Sequence, residues 1–262
     1  MICFEVAQDS QQICTAGVNG YGLVSVMVNY RKITHRPPGS EQISKDEIML
    51  SIHGSCQPEL GIDESLTWID SKLNVGSQVK IKITECSKAD KPTRRCRETY
   101  ENICQFMKKD DARYRENLKK KIEEYEQIQD QIKDYSYECD KSYPTICFNT
   151  SLNDNRVCLA GHSEASSIGF SLHWVLRDPR NFPSGEEFVS EELEYSVGGL
   201  IYYDDFNNRH PRWVEANASI GDIFTIEIVK SQNPDHPIEM PGENPEDSIK
   251  RAKEYLENPS PF

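Results

Sequence analysis

The chain lacks a long apolar run. No stretch approaches the roughly 18 consecutive apolar residues that a membrane-spanning helix requires, so no membrane partner is expected. It also has no Cys-x-x-Cys, no His-x-x-x-His, no phosphate-cradling glycine loop and no Gly-x-Ser-x-Gly. Those absences remove the sequence-readable zinc sites, nucleotide loops and hydrolase elbows. No metal or cofactor is expected from motifs, and no catalytic residue can be named. Positive charge is scarce as well: 30 Lys and Arg face 43 Asp and Glu, a net charge of −13. Such a surface repels a phosphate backbone, so general nucleic-acid binding is not expected. The basic clusters Arg94-Arg95-Cys96-Arg97 and Lys119-Lys120-Lys121 read as solvated helix faces. The opening "MICFEVAQDSQQIC" has no basic start and only a four-residue apolar run. It does not read as a leader, and the expected address is the cytoplasm.

What is present suits a packed, two-part chain. There are 262 residues, 37 % hydrophobic, with 12 Tyr, 9 Phe and 3 Trp, enough for two domains with a core. The nine cysteines are odd in number and lack paired spacing. They are expected to be reduced and mostly buried.

The strongest signal is internal. "ICFEVAQDSQQICTAG" (2–17) lies over "ICFNTSLNDNRVCLAG" (146–161) at an offset of 144. Val24, Val26, Val28 and Tyr30 then fall on Ile168, Phe170, Leu172 and Trp174. One residue is gained, and at an offset of 145 Trp68 meets Trp213, Gly76 meets Gly221, and Asp90-Lys91-Pro92 meets Asp235-His236-Pro237. The pattern indicates one β-rich module present twice, because missing a repeat would miscall the whole fold. Alternating apolar residues predict strands near 2–7, 11–16, 22–33, 46–53, 66–70 and 77–86 in the first copy. They predict 145–150, 156–160, 167–177, 190–197, 212–215 and 222–230 in the second. The repeated tryptophans read as core plugs, with a ligand-stacking platform as the alternative.

Between the copies the period changes. Tyr114, Leu118, Ile122, Tyr125, Ile128, Ile132 and Tyr135 form a narrow stripe on a helix predicted over 111–135. A shorter helix over 94–108 is predicted before it, with Asp110-Asp111 at the turn, giving a hairpin. Lys119–Glu123 and Lys120–Glu124 are possible pairs along the longer helix. "NPEDSIKRAKEYLENPSPF" predicts a last helix starting at Pro245 and stopped by Pro259 and Pro261. The expected fold is α+β, mainly β. Two homologous antiparallel β-sandwich or partly open barrel modules (1–92 and 142–238) flank the hairpin (93–141), and a tail with a short helix follows (239–262).

No histidine recurs between the copies, so what is duplicated is architecture rather than chemistry. The acidic runs Glu186-Glu187, Glu191-Glu192 and Asp204-Asp205 lack calcium-loop spacing and read as a solvated face. "LIYYDDFNNRHPRW" (200–213) is dense in aromatics and charge, a composition suited to a protein-binding hot spot. Candidate binding residues are therefore Tyr202, Tyr203, Asp204, Asp205, Phe206, Arg209 and His210 in that loop. On the helix they are Tyr114, Leu118, Ile122, Tyr125 and Ile128.

The segments "VCLAG", "HWVLRDP", "SVGG", "RWVEANASIGDIFTIEIV" and "NPEDSIKRAKEYL" resemble a family of small bacterial proteins, usually one module long, with no assigned activity. The likeness covers most of 146–257 and, more loosely, 2–92, where Ser77 replaces the usual Asp. It implies a bacterial cytosolic protein and supports the module boundaries, and it transfers no catalytic residue. The expected function is a non-catalytic scaffold or adaptor that binds another protein. The acidic charge favours a basic partner, and a bacterial regulatory or defence complex is one setting. The alternative is a small-ligand or enzymatic site in the cleft between the modules. A cavity lined by His210, Asp204 or Cys56 favours that alternative, and an exposed apolar stripe on helix 111–135 favours the adaptor.

Overall fold

The computed structural model describes residues 1–35, 43–59, 62–129, 143–179, 190–204, 207–242 and 244–257. It is mainly β. The first half contributes β1 (Ile2–Gln8), β2 (Gln11–Ala16), β3 (Gly22–His35), β4 (Ile43–Glu59), β5 (Ile62–Leu73), β6 (Gln78–Glu85), β7 (Arg94–Thr99) and α1 (Tyr100–Ile128). The second contributes β8 (Thr145–Leu152), β9 (Asn155–Gly161), β10 (Ala165–Leu176), β11 (Glu191–Asp204), β12 (Asn207–Arg209), β13 (Arg212–Asn217), β14 (Ile223–Ser231) and α2 (Pro245–Glu257).

The strands form two open antiparallel sheets, neither closed into a barrel. One is six-stranded, ordered β2-β1-β6-β14-β8-β9. The other is eight-stranded, ordered β12-β11-β10-β3-β4-β5-β7, with β13 also on β11. Both sheets therefore run through both halves. The joints are β3 with β10 and β6 with β14. In the first joint Met27 stands opposite Ser171, residues 144 apart. In the second Lys80 stands opposite Thr225, residues 145 apart. Each joint is thus centred on residues that correspond under the sequence offset.

Period-two alternation decides what is buried. Val24, Val26, Val28 and Tyr30 of β3 and Ile168, Phe170, Leu172 and Trp174 of β10 point into one core. Phe4 and Val6 of β1, Val79, Ile81 and Ile83 of β6, and Phe224, Ile226 and Ile228 of β14 join it from the other sheet. Phe170 and Tyr195 meet Phe224 with ring centroids 5.6 and 4.7 Å apart. Fully burying each such side chain contributes on the order of 1.5–3 kcal/mol.

The tryptophans are structural. Trp68 on β5 and Trp213 on β13 are 3 % and 4 % exposed and belong to the core, although Trp68 also lines a surface cavity of about 410 Å³. Each ring N–H donates to a main-chain carbonyl 22 residues on, Trp68 to Asp90 at 2.8 Å and Trp213 to Asp235 at 2.9 Å. The same aspartates hold the outer strands of the six-stranded sheet. Thr15 N–H donates to the Asp90 carboxylate and Leu159 N–H to the Asp235 carboxylate, both at 2.7 Å. Asp90 N–H and Asp235 N–H return bonds to the carbonyls of Thr15 and Leu159, at 2.8 and 2.9 Å. The Asp-x-Pro motif is thus a clamp from an edge strand of one sheet to a buried indole on the other. Gly54 and Gly199 sit under these rings, where an added Cβ would meet carbonyl oxygens at 2.6 and 2.7 Å. Gly76 and Gly221 take φ of 97° and 98°, which side chains resist. Their N–H groups donate across the joint, Gly76 to Ile228 O and Gly221 to Ile83 O.

Four expectations are corrected. Residues 94–99 are a strand rather than the start of a helix, because their backbone pairs with β5 from Thr67↔Arg94 to Ile62↔Thr99. Its dense charge suits an edge strand, where charge discourages pairing with other chains. α1 then runs unbroken through Asp110-Asp111, so there is no hairpin there. Asp111 accepts the Tyr255 hydroxyl of α2 instead of capping a helix. Among the expected lysine pairs, Lys120 turns to Glu116 at 3.2 Å rather than to Glu124. Finally, Cys3 and Cys86 form a disulfide, although wholly reduced thiols are expected from spacing. Their 83-residue separation hides them in sequence, but β1 and β6 are neighbours and Cys86 N–H donates to Met1 O at 3.0 Å. In the second half the partner position is Ser231, and Cys147 is a buried thiol. Glu186-Glu187, Ile132, Tyr135 and the expected stops Pro259 and Pro261 lie outside the described residues.

Two outcomes follow. Asp235→Ala should lower the unfolding free energy by about 2 kcal/mol, the range for charge-assisted hydrogen bonds, with Asp235→Asn losing less; urea unfolding measures both. Reducing Cys3–Cys86 should cost about 4–5 kcal/mol by loop closure, seen as a drop in urea midpoint that the Cys3→Ser variant reproduces without reductant.

Candidate functional site

The two helices lie antiparallel and form an arm. α2 begins well: the Asn244 side chain accepts Glu246 N–H at 3.1 Å, Pro245 fills the first helical position, and Glu246 and Asp247 occupy the first turn. The described part of the α1 stripe is not the exposed apolar surface that favours an adaptor, because Leu118, Ile122 and Tyr125 pack towards α2. Leu118 and Tyr125 are buried, as are Ile249 and Ala252, and Tyr125, Ile249 and Ile122 form the centre of the seam. Polar contacts fix the register. Lys253 Nζ meets Glu126 at 2.7 Å, and Arg115 donates to Leu256 O at 3.0 Å, satisfying a carbonyl at the helix end. Tyr114 packs edge-on against Tyr255 with centroids 5.5 Å apart. The hydrogen bond to Asp111 raises the pKa of the Tyr255 hydroxyl. Contact between the arm and the sheets runs chiefly through β7.

Two grooves flank the seam. The larger, about 580 Å³, is lined from α1 by Tyr114, Asn117, Leu118 and Lys121, and from α2 by Ser248, Arg251, Ala252 and Tyr255. The smaller, about 340 Å³, lies beside Tyr125 and Ile249. The side chain of Ile128 lies outside the described residues.

The loop candidates sit elsewhere. Tyr202 is exposed on β11, and its N–H donates to Ser166 Oγ at 3.3 Å. Arg209 lies against Gly242, and His210 N–H donates to Pro241 O at 2.9 Å. Arg212 bonds Glu215 and reaches Glu239 at 3.5 Å. The segment is therefore pinned to the chain that leads into α2. Neither Tyr202 nor His210 lines a groove of the arm. Asp205 and Phe206 lie outside the described residues, as do the side chains of Tyr203 and Asp204.

A cavity of about 250 Å³ lies where β3, β4 and β10 end together, drawing on both halves; of the three lining residues named from the sequence, Cys56 is in its described wall and His210 and Asp204 are not. Its lining includes Tyr21, Leu23, Cys56, Asp63, Leu176 and Arg177. Burial and Glu64 push the Cys56 thiol pKa up, so it stays protonated and is a poor nucleophile. Arg177 is held by Glu192 at 2.6 Å. Close by, the largely buried Glu64 takes Arg95 at 3.4 Å and Arg97 at 3.9 Å. Only the pairing of β7 with β5 brings these residues together. His53 bonds Asp70 at 2.9 Å and approaches Thr67 Oγ1 at 3.3 Å. The order resembles a base with its orienting carboxylate. Yet His53 and Asp70 side chains are 35 % and 42 % exposed, and none of the three lines a described cavity. Among the described residues no cluster of His, Cys, Asp and Glu could hold a metal ion, and no helix is long and apolar enough to cross a membrane.

Comparison with family models, curated proteins and solved structures finds no match for this chain.

Two histidines link the fold to pH. His162 is buried, with its Nδ1 accepting Glu164 N–H at 3.1 Å. His173 shares a 3.1 Å hydrogen bond with buried Ser25. Burial lowers both pKa values against the opposing pull of Glu164 and Glu194. The unfolded chain then binds protons more readily than the folded one, so stability is full above about 6.5 and falls as pH drops below it. Urea unfolding at pH 7.5 and 5.5 should show that loss, and His173→Gln should reduce the difference between the two pH values.

Proposed function

We propose that this protein is a non-catalytic scaffold that binds another protein, built as a tandem duplication whose halves share one two-sheet sandwich. Support for the duplication is positional. Both sheet joints centre on corresponding residues, the Trp–Asp clamp occurs twice with the same bonds, and α1 and α2 begin 145 residues apart. On this reading β12 and β13 together correspond to β5, broken at Pro211, which has no N–H to pair.

The observation that carries the binding function is the helical arm. A pair of helices with its own closed seam, grooves on both flanks and few contacts with the sheets is a surface suited to a third element. The exposed ring of Tyr114, 52 % accessible, stands at the mouth of the larger groove. The cytoplasmic setting and a bacterial regulatory or defence assembly rest on the motif resemblance alone.

A second reading is favoured by the Cys56 cavity: a small molecule held where the two halves meet. The thiol there would pack against the ligand without attacking it.

The test is site-specific photo-crosslinking in the native host, with the reactive side chain at position 114 or 202. The scaffold reading predicts a discrete protein adduct at one of these positions. No protein adduct, together with a small molecule retained in native mass spectrometry and lost in Cys56→Trp, would reverse the ranking.

A further inference from the structure

We infer that the larger groove of the arm is the receptor for an acidic amphipathic helix of the partner protein. This rests on the scaffold reading and names the chemistry of its ligand.

The groove walls are two helical faces. Residues 114, 117, 118 and 121 on α1, and 248, 251, 252 and 255 on α2, each follow the spacing i, i+3, i+4, i+7. That spacing puts four side chains on one face of a helix. Seven residues of rise make the groove about 10 Å long, two turns. Two antiparallel helices presenting matched ridges create the seat that a third helix fills by packing its own ridges between them.

The lining sets the partner's chemistry. Leu118 and Ala252 give an apolar floor, and Tyr114 and Tyr255 close one end with an aromatic wall. Aromatic anchors of this type bury area at low entropic cost. Lys121 and Arg251 supply charge of one sign, and the groove lining contains no carboxylate. Arg251 makes no ion pair among the described residues. α1 carries seven basic and seven acidic residues, so it is neutral in a chain of net charge −13. With four acidic and three basic residues on α2, the arm as a whole is close to neutral, so an acidic segment meets less repulsion there than the net charge of the chain implies. This departs from the basic partner that bulk charge suggests. An apolar floor between helices also suits a peptide helix better than a phosphate polymer, which the overall charge repels.

Selection of displayed helical peptides on the intact chain tests this. Enriched sequences should carry apolar residues at i, i+3 or i+4, and i+7, flanked by Asp and Glu. Their synthetic forms should bind at least tenfold more weakly to Lys121→Glu and Arg251→Glu, and salt should weaken binding to the unaltered chain. Arg251 is exposed and Lys121 half-buried in the groove wall, and circular dichroism and thermal unfolding verify that the variants fold. If a variant fails to fold, Tyr114→Ala replaces it, with the same loss expected. Enrichment of nothing, of sequences without acidic bias, or of peptides that bind variants equally would overturn the inference. So would sedimentation showing that a second copy occupies the groove and is released by Arg251→Glu. A partner crosslinked from position 202 and insensitive to Lys121→Glu and Arg251→Glu would overturn it while leaving the scaffold reading intact.

Discussion

Two strand pairings cross from one half of the chain to the other, and the remaining structure depends on them. β3 hydrogen-bonds along β10 over ten residue pairs, and β6 along β14 over five. Because these joints lie mid-sheet, the strands on either side inherit their position from them. The core then has no boundary between halves, since Phe170 and Phe224 meet in it with Val26, Ile52 and Ile81. The Gly76 and Gly221 turns tighten one joint by each donating to the other half's strand.

The outer flanks are held by different means. An edge strand presents unpaired backbone groups and invites foreign pairing. On β2 and β9 an aspartate both accepts and returns a backbone bond there, while its own carbonyl accepts a buried indole. One residue type thus protects an edge, satisfies a buried donor and ties the sheets together. The helices follow the clamp in chain order, so the body places their starting points, and their antiparallel seam completes the arm. The binding role is proposed for that arm because its described apolar side chains meet one another across the seam rather than the core of the sheets.

Much of this was legible in the residues. Alternation at Val24–Tyr30 and Ile168–Trp174 places strands, and the recurrence of Trp, Gly and Asp-x-Pro marks equivalent positions. Alternation says which face is buried but not which strand lies alongside, so the pairing of β3 with β10 was not readable. β7 was missed because its residues are charged, and only pairing with β5 makes it a strand. The Cys3–Cys86 bond and the Glu64 cluster were hidden for the same reason: each is an accident of neighbouring strands distant in sequence. The α1 stripe was readable, and its cover by α2 was not, since a stripe does not name what it packs against.

Native-state hydrogen exchange measures the central claim most directly. If the halves share one cooperative body, amides of β3, β10, β6 and β14 around Met27, Ser171, Lys80 and Thr225 exchange only through global unfolding, with one common free energy. Amides of one half exchanging at a clearly lower free energy than those of the other, with the joints opening first, would contradict the account.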